Sequence, residues 1–129
     1  MKRKPKVYIA GPYTKGDVAL NVKNAVGLAD RLVGYGCIPF VPHFLHFWHM
    51  MFPHKDEQYW LDYDNEWLLV CDALFRIPGD SKGAEAEVEL ARQSGIPVFH
   101  TLFDLSCWFQ ARKGDIIKEE ETANASANK

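Results

Sequence analysis

Four short stretches rich in β-branched and aromatic residues, KVYIAG (Lys6–Gly11), CIPFVP (Cys37–Pro42), DALFRIP (Asp72–Pro78) and IPVFHT (Ile96–Thr101), are set apart by longer stretches of helical character. This alternation constrains the fold more than any other feature, because a strand, a crossover and a further strand build a parallel sheet with its helices packed on the faces. Between the first two strands, Val18, Val22, Ala25, Val26, Ala29, Leu32 and Val33 recur at helical spacing until Gly34 and Gly36 stop the pattern. HFLHFWHMMFPHK reads as a short helix and loop, Asp56 to Val70 as a helix, and SKGAEAEVELARQSG (Ser81–Gly95) as another. A last amphipathic piece is expected over Leu105 to Lys118. The expected class is therefore α/β, a Rossmann-like three-layer sandwich with a parallel sheet of four to five strands and helices on both faces. Pro39 suits an edge strand or a strand start, since it cannot donate to a ladder.

A chain of 129 residues, 47% apolar and 25% charged, supports one domain, placed at residues 1–118, with a polar tail expected over 119–129. The net charge of −2 leaves no footprint for a nucleic-acid polymer or an acidic membrane, and the basic residues near the start are expected to be solvated. No apolar run approaches the roughly 20 residues of a membrane span, and no apolar core of a secretory signal is present. Cys37, Cys71 and Cys107 are odd in number and widely spaced, which fits reduced thiols and a cytoplasmic location rather than a disulfide or zinc framework.

In open parallel sheets, ligands bind outside the carboxyl ends of the strands. Three segments qualify: Gly11–Gly16, the histidine-rich run, and Gly79–Gly83. The helix after the third carries glutamates at alternate positions 85, 87 and 89. At about 100° per residue, Ala84, Val88, Leu90 and Ala91 share the arc that must pack on the sheet, and Glu85, Glu89 and Arg92 fall opposite as a solvated face. Glu87 falls inside the apolar arc, near the helix start, where burial raises a carboxyl pKa and the helix dipole lowers it. Ser81, Lys82 and Gly83 supply a cap and first-turn amides, the equipment of an anion site as well as of an ordinary helix start. GPYTKG is not a phosphate-binding P-loop, because no Lys-Ser/Thr follows its second glycine.

The segments YIAGPYT, DNEWLLVCDALF and SKGAEAEVELARQSGIPVF together resemble the nucleoside 2-deoxyribosyltransferase superfamily, and within it the small deoxynucleoside 5′-monophosphate N-glycosidases. The resemblance runs from about Val7 to Phe99, and S-x-G-x-x-x-E followed ten residues later by proline matches at Ser81, Gly83, Glu87, Gly95 and Pro97. It implies cleavage of an N-glycosidic bond by hydrolysis or transfer, with Glu87 as nucleophile and Asp64, from an Asp-x-x-Trp-Leu match, as second carboxylate; Asp62 is the rival position. Tyr8 would lie beside sugar and nucleophile, Gly11 would border the ligand, and Ser81 and Gly83 would hold a 5′-phosphate. Asp72 matches a position better suited to a structural role. A small-molecule nucleoside or nucleotide substrate, no cofactor and a homo-oligomer, dimer or larger, are implied. The relatives' late serine from a neighbouring subunit is not matched: Ala111 stands at that distance and Ser106 is a loose substitute.

His43, His46 and His49 are spaced three apart, with His54 beyond. Such spacing drifts by about 60° per step around a helix and does not bring three imidazoles onto one ion, so no metal is expected. His43, nearest the strand end, is expected beside the ligand. Phe44, Phe47, Trp48, Met50 and Met51 are expected to form a lid or subunit contact, some of them stacking on a base. A non-catalytic nucleotide-binding module of the same fold is the alternative reading.

Overall fold

A computed structural model describes residues 3–53 and 56–112. The tail expected over 119–129 and the end of the last expected helix lie outside the described residues. Strand β1 (Lys6–Ala10) leads to helix α1 (Val18–Gly34), strand β2 (Ile38–Phe40), a 3-10 turn (Pro42–Phe44) and helix α2 (Leu45–Met51). Helix α3 (Glu57–Leu68), strand β3 (Ala73–Arg76), helix α4 (Lys82–Gln93) and strand β4 (Val98–Phe99) follow, and residues 102–112 form helix α5.

The four strands form one parallel sheet in the order β2-β1-β3-β4. Val7 is flanked by Pro39 on β2 and Ala73 on β3, and Ala10 pairs with Arg76. Pro39 thus lies in an edge strand, where its missing N–H has no inner ladder to serve. The strand order reverses between β1 and β3, and this is where a crevice opens at the carboxyl ends of the strands.

Side chains alternate across the sheet. Val7, Ile9, Ala73 and Phe75 point to one face and pack with Ala25, Ala29 and Leu32 of α1 and Leu105 and Phe109 of α5. Tyr8, Ala10 and Leu74 point to the other and pack with Leu68 at the end of α3 and Ala84, Val88 and Ala91 of α4. Two covered faces make the three layers that the strand-helix alternation predicts. Helix starts are set by side-chain caps: Asp17 accepts from Leu20 N at 3.1 Å, Asp56 from Tyr59 N at 2.8 Å, and Ser81 from Ala84 N at 3.1 Å.

Asp72, just before β3, accepts the Lys6 amide at 2.8 Å and pairs with Arg3 at 3.0 Å and Arg112 at 3.6 Å. It ties the amino ends of the strands together, at the end of the sheet opposite the crevice. Among the described residues no helix is long and apolar enough to cross a membrane. Cys37 and Cys71 are buried free thiols and Cys107 is an exposed one.

Candidate active site

The first loop is held against the sheet by contacts that need glycine at two points. A Cβ on Gly11 would come within 2.9 Å of Ile77 Cβ, so β1 and β3 approach closely only because position 11 has no side chain. Gly79 has φ +127°, and a Cβ there would meet Pro12 Cγ at 2.6 Å. The loops after β1 and β3 therefore press together, and an ion pair between Lys15 and Asp80 joins them at the surface.

Between these loops, the 3-10 turn, α2, α3 and the start of α4 lies a cavity of about 750 Å³. Gly11, His43, Asp64, Ser81, Gly83 and Glu87 all line it. Residues up to 76 positions apart in the chain thus converge on one space, as the parallel topology requires. Tyr8 does not line the cavity. It is fully buried under the floor, stacked on Phe40 at 5.6 Å, with Phe40 in turn stacked on Trp67 at 5.2 Å. Its hydroxyl has no hydrogen-bond partner of ordinary geometry, and its pKa is raised by burial first and then by the neighbouring Glu87 and Asp64. Tyr8 reaches the site through these carboxyls rather than along the cavity wall.

Glu87 is 8% exposed, in the same arc as Ala84, Val88 and Ala91. Burial pushes its pKa up to about 7, partly offset by the Tyr8 phenol and the positive charge of Arg76. Asp64 projects from α3, and burial together with the Glu87 charge pushes it up to about 8. One oxygen of each carboxyl, Glu87 Oε2 and Asp64 Oδ1, is buried with no hydrogen-bond partner. Two carboxyls in one poorly solvated space cannot readily both be charged, so near neutral pH the pair holds a proton. Asp62, the rival position, is exposed and accepts from Gln58 at 2.8 Å.

The other two glutamates of α4 differ from each other. Glu89 is exposed and accepts from Gln93 at 3.1 Å, as a solvated face predicts. Glu85 corrects that expectation: although 69% of its side chain is exposed, it receives Nε and Nη2 of buried Arg76 at 3.2 and 2.8 Å. The sign of this partner was hidden because the helical projection considers one helix and not the strand beneath it.

His43 is buried and its Nε2–H donates to the Pro12 carbonyl at 3.0 Å, so it anchors the first loop. Burial lowers its pKa, favouring the neutral ring. His46 Nδ1 and the Tyr13 hydroxyl share a hydrogen bond at 2.5 Å, a second tie between the same segments. His46 and His49 also line the cavity, but among the described residues no group of three His, Cys, Asp or Glu side chains could hold a metal. Phe44, Phe47, Trp48, Met50 and Met51 are between 43% and 68% exposed, and α2 buries none of its own residues.

At the anion-ready end, Ser81 caps α4, and the Lys82 and Gly83 amides belong to a first turn that has no intrahelical acceptors for them. Sequence reasoning missed Arg76, Tyr13 and Trp60. A lone arginine inside the apolar run DALFRIP was the available signal for the first. For Trp60 it was the four-residue spacing to Asp64, which puts both on one face of α3 and in one cavity wall. Tyr13 gave no signal beyond its place in a glycine-bounded loop.

Residues 5–101 match the family described as a domain of unknown function (DUF7768). The chain belongs to this family. The matched span runs from β1 through β4 and includes every residue that lines the cavity. A search of curated proteins gives no match. The DUF7768 description assigns no chemistry to these side chains.

Proposed function

We propose that this cavity cleaves the N-glycosidic bond of deoxynucleosides or their 5′-monophosphates, with Glu87 as the nucleophile. The observation that carries the reading is the pair of carboxyls, buried Glu87 pushed up to about 7 and half-buried Asp64 to about 8, that converge from two helices on one cavity. Between those values Glu87 is the more readily ionised and Asp64 the more readily protonated, the division of labour a retaining glycosidase needs.

In the first step a Glu87 carboxylate oxygen bonds to the anomeric carbon while the carbon–nitrogen bond breaks. The electron pair leaves with the base, which takes the proton from Asp64. In the second, the Asp64 carboxylate accepts a proton from water as the water oxygen bonds to the same carbon and Glu87 departs. A second nucleobase in place of water gives transfer. The buried Tyr8 phenol favours the ionised form of Glu87. A cavity of about 750 Å³ is large enough for a nucleotide. The first turn of α4 suits a 5′-phosphate, which would compete with Asp80 for Lys15. No cofactor enters this scheme. A homo-oligomer, with the exposed apolar side chains of α2 at the contact, would cover the outer wall of the cavity.

Incubation with a panel of deoxynucleosides and monophosphates, followed by chromatography of free bases, tests the reading. Base release is expected from the wild type and from Glu89→Ala, and is expected to vanish in Glu87→Ala. Equal release by Glu87→Ala overturns it, and binding without release in the wild type leaves a nucleotide-binding module. Base exchange with an added acceptor distinguishes transfer from hydrolysis.

A further inference from the structure

Arg76 ends β3 on the sheet face that carries the cavity, and it is 6% exposed. A guanidinium does not lose its proton in a protein, so a buried one must be satisfied where it lies. Three partners do this. Nη1 donates to the Ile77 carbonyl, Nη2 to the Gly79 carbonyl at 2.8 Å, and Nε and Nη2 both to Glu85 Oε1. These bonds fold the chain after β3 back on its own strand end. They also tie it to the first turn of α4 at Glu85, two residues before Glu87 and one after Ala84. Gly79, held by its carbonyl, is the residue that presses on Pro12, whose carbonyl receives His43. One side chain therefore connects the β3 loop, the β1 loop and the α4 start.

We propose that Arg76 is a positioning residue of this site: with Glu85 it fixes the loop and helix turn that present Ser81, Gly83 and Glu87, and it sets a buried positive charge beneath the helix turn that carries Glu87. The inference deepens the glycosidase reading and rests on it for its purpose, but its physical content does not require turnover. Ionised Glu87 is opposed by burial and by Asp64 from α3, and favoured by Tyr8 from β1 and Arg76 from β3. Arg76 is the cationic member of this set, and Glu85, on Glu87's own helix, partly neutralises it. Lys82 on the same helix lines the cavity but makes no bond to either glutamate.

This arrangement yields opposite signs for two substitutions. Removing the charge of Glu85 frees the field of Arg76, so Glu85→Gln should lower the Glu87 titration midpoint. Removing Arg76 should raise it. A merely structural network would move both in the same direction, by loosening the site and letting water in. The measurement is the carboxyl carbon resonance of Glu87, assigned by its loss in Glu87→Gln and followed from pH 4 to 10 without substrate. Expected shifts are about half a unit to one unit downward in Glu85→Gln and the same upward in Arg76→Gln, below the 1–3 units of a directly paired carboxylate. Arg76→Lys keeps the charge and loses the fork, so its midpoint should stay near the wild type. Its KM for cleaved substrates should rise several-fold, because the loop is no longer held in two places.

Glu85 is largely exposed, so Glu85→Gln keeps its fold. Because loss of any nearby negative charge lowers the midpoint, Glu89→Gln, two residues to the other side of Glu87 and bonded to Gln93 instead of Arg76, is its control. A larger downward shift in Glu85→Gln than in Glu89→Gln decides the matter if Arg76→Gln does not fold. An unmoved or raised midpoint in Glu85→Gln, or a fall no larger than in Glu89→Gln, overturns the proposal. Because the titration needs no catalysis, failure here is separable from failure of the base-release assay: the expected shifts without base release would leave Arg76's role intact and sink the enzyme.

Discussion

The two faces of the sheet are built from the same four strands and are both covered by helices, yet they differ in what they bury. On the α1 and α5 face, Val7, Ile9, Phe75, Leu32 and Leu105 form a dry core. On the α3 and α4 face, Leu68, Leu74, Val88 and Ala91 surround Tyr8, with Glu87 and Asp64 alongside. Among the described residues the buried side-chain polar atoms without a partner belong to Tyr8, His43, Trp60, Asp64 and Glu87, and none belongs to the first face. Native proteins rarely leave such groups unpaired, because each costs about 1–3 kcal/mol. Concentrating them on one face, at the end where a ligand crevice opens, separates the part of the core that stabilises from the part poised for chemistry.

The sharpest way to break this comparison is to exchange the expected consequences. Glu87→Ala should lower kcat/KM for base release by about 10³-fold or more, as for loss of a covalent nucleophile. Its melting temperature at pH 8 should be unchanged or higher, since a buried, unpaired carboxyl is gone. Leu32→Ala on the dry face should do the reverse, costing about 2–5 kcal/mol in denaturant unfolding while the folded fraction keeps its kcat. If Glu87→Ala melts early, or Leu32→Ala loses activity while folded, the division of the two faces is wrong.

The pH dependence of stability comes next in size. Both carboxyls have folded pKa values above their unfolded ones, so the folded state binds protons more tightly. Their stabilisation is fully present below about pH 4 and is lost as pH rises through about 7 and about 8. Asp64→Asn should therefore show a smaller fall in unfolding free energy than the wild type between pH 5 and pH 9. An identical fall in the two proteins would show that Asp64 titrates normally. Activity should peak between the two values, and Asp64→Asn should lose the alkaline limb.

Two glycines sharpen the comparison further. Gly11→Ala forces a Cβ to 2.9 Å from Ile77 and should cost about 1–3 kcal/mol, with a lower melting temperature as the readout. Gly83→Ala meets Leu61 Cδ2 only at 3.7 Å, an ordinary contact, so stability should hardly change. Any several-fold rise in KM for monophosphates over nucleosides in Gly83→Ala would then report on the ligand and not on the fold. No difference between the two substrate classes would remove the phosphate from the proposal.

Much of the fold was legible because it rests on local periodicity. The alternating runs placed all four strands to within two or three residues, and Pro39 correctly indicated an edge. Glu87 was legible too, since a carboxylate in the apolar arc of Ala84, Val88 and Ala91 stands out in a projection of one helix. Glu85 was misjudged as merely solvated because its partner lies on a strand nine positions earlier, pointing up from the sheet. The same limit concealed the roles of Tyr13 and His43, whose hydrogen bonds join segments 33 and 31 positions apart.

The sequence by itself determined the parallel α/β architecture, the edge strand and the one glutamate that turns inward, because backbone propensity and side-chain period are properties of short segments. Tertiary structure alone decided that Asp64 and not Asp62 shares a cavity with Glu87, that Tyr8 lies under the floor, and that Arg76 is neutralised by Glu85. Those outcomes depend on which helix crosses which strand and on how much water is excluded where they meet. Ionisation in such a space is set by neighbours that are close in three dimensions and distant along the chain.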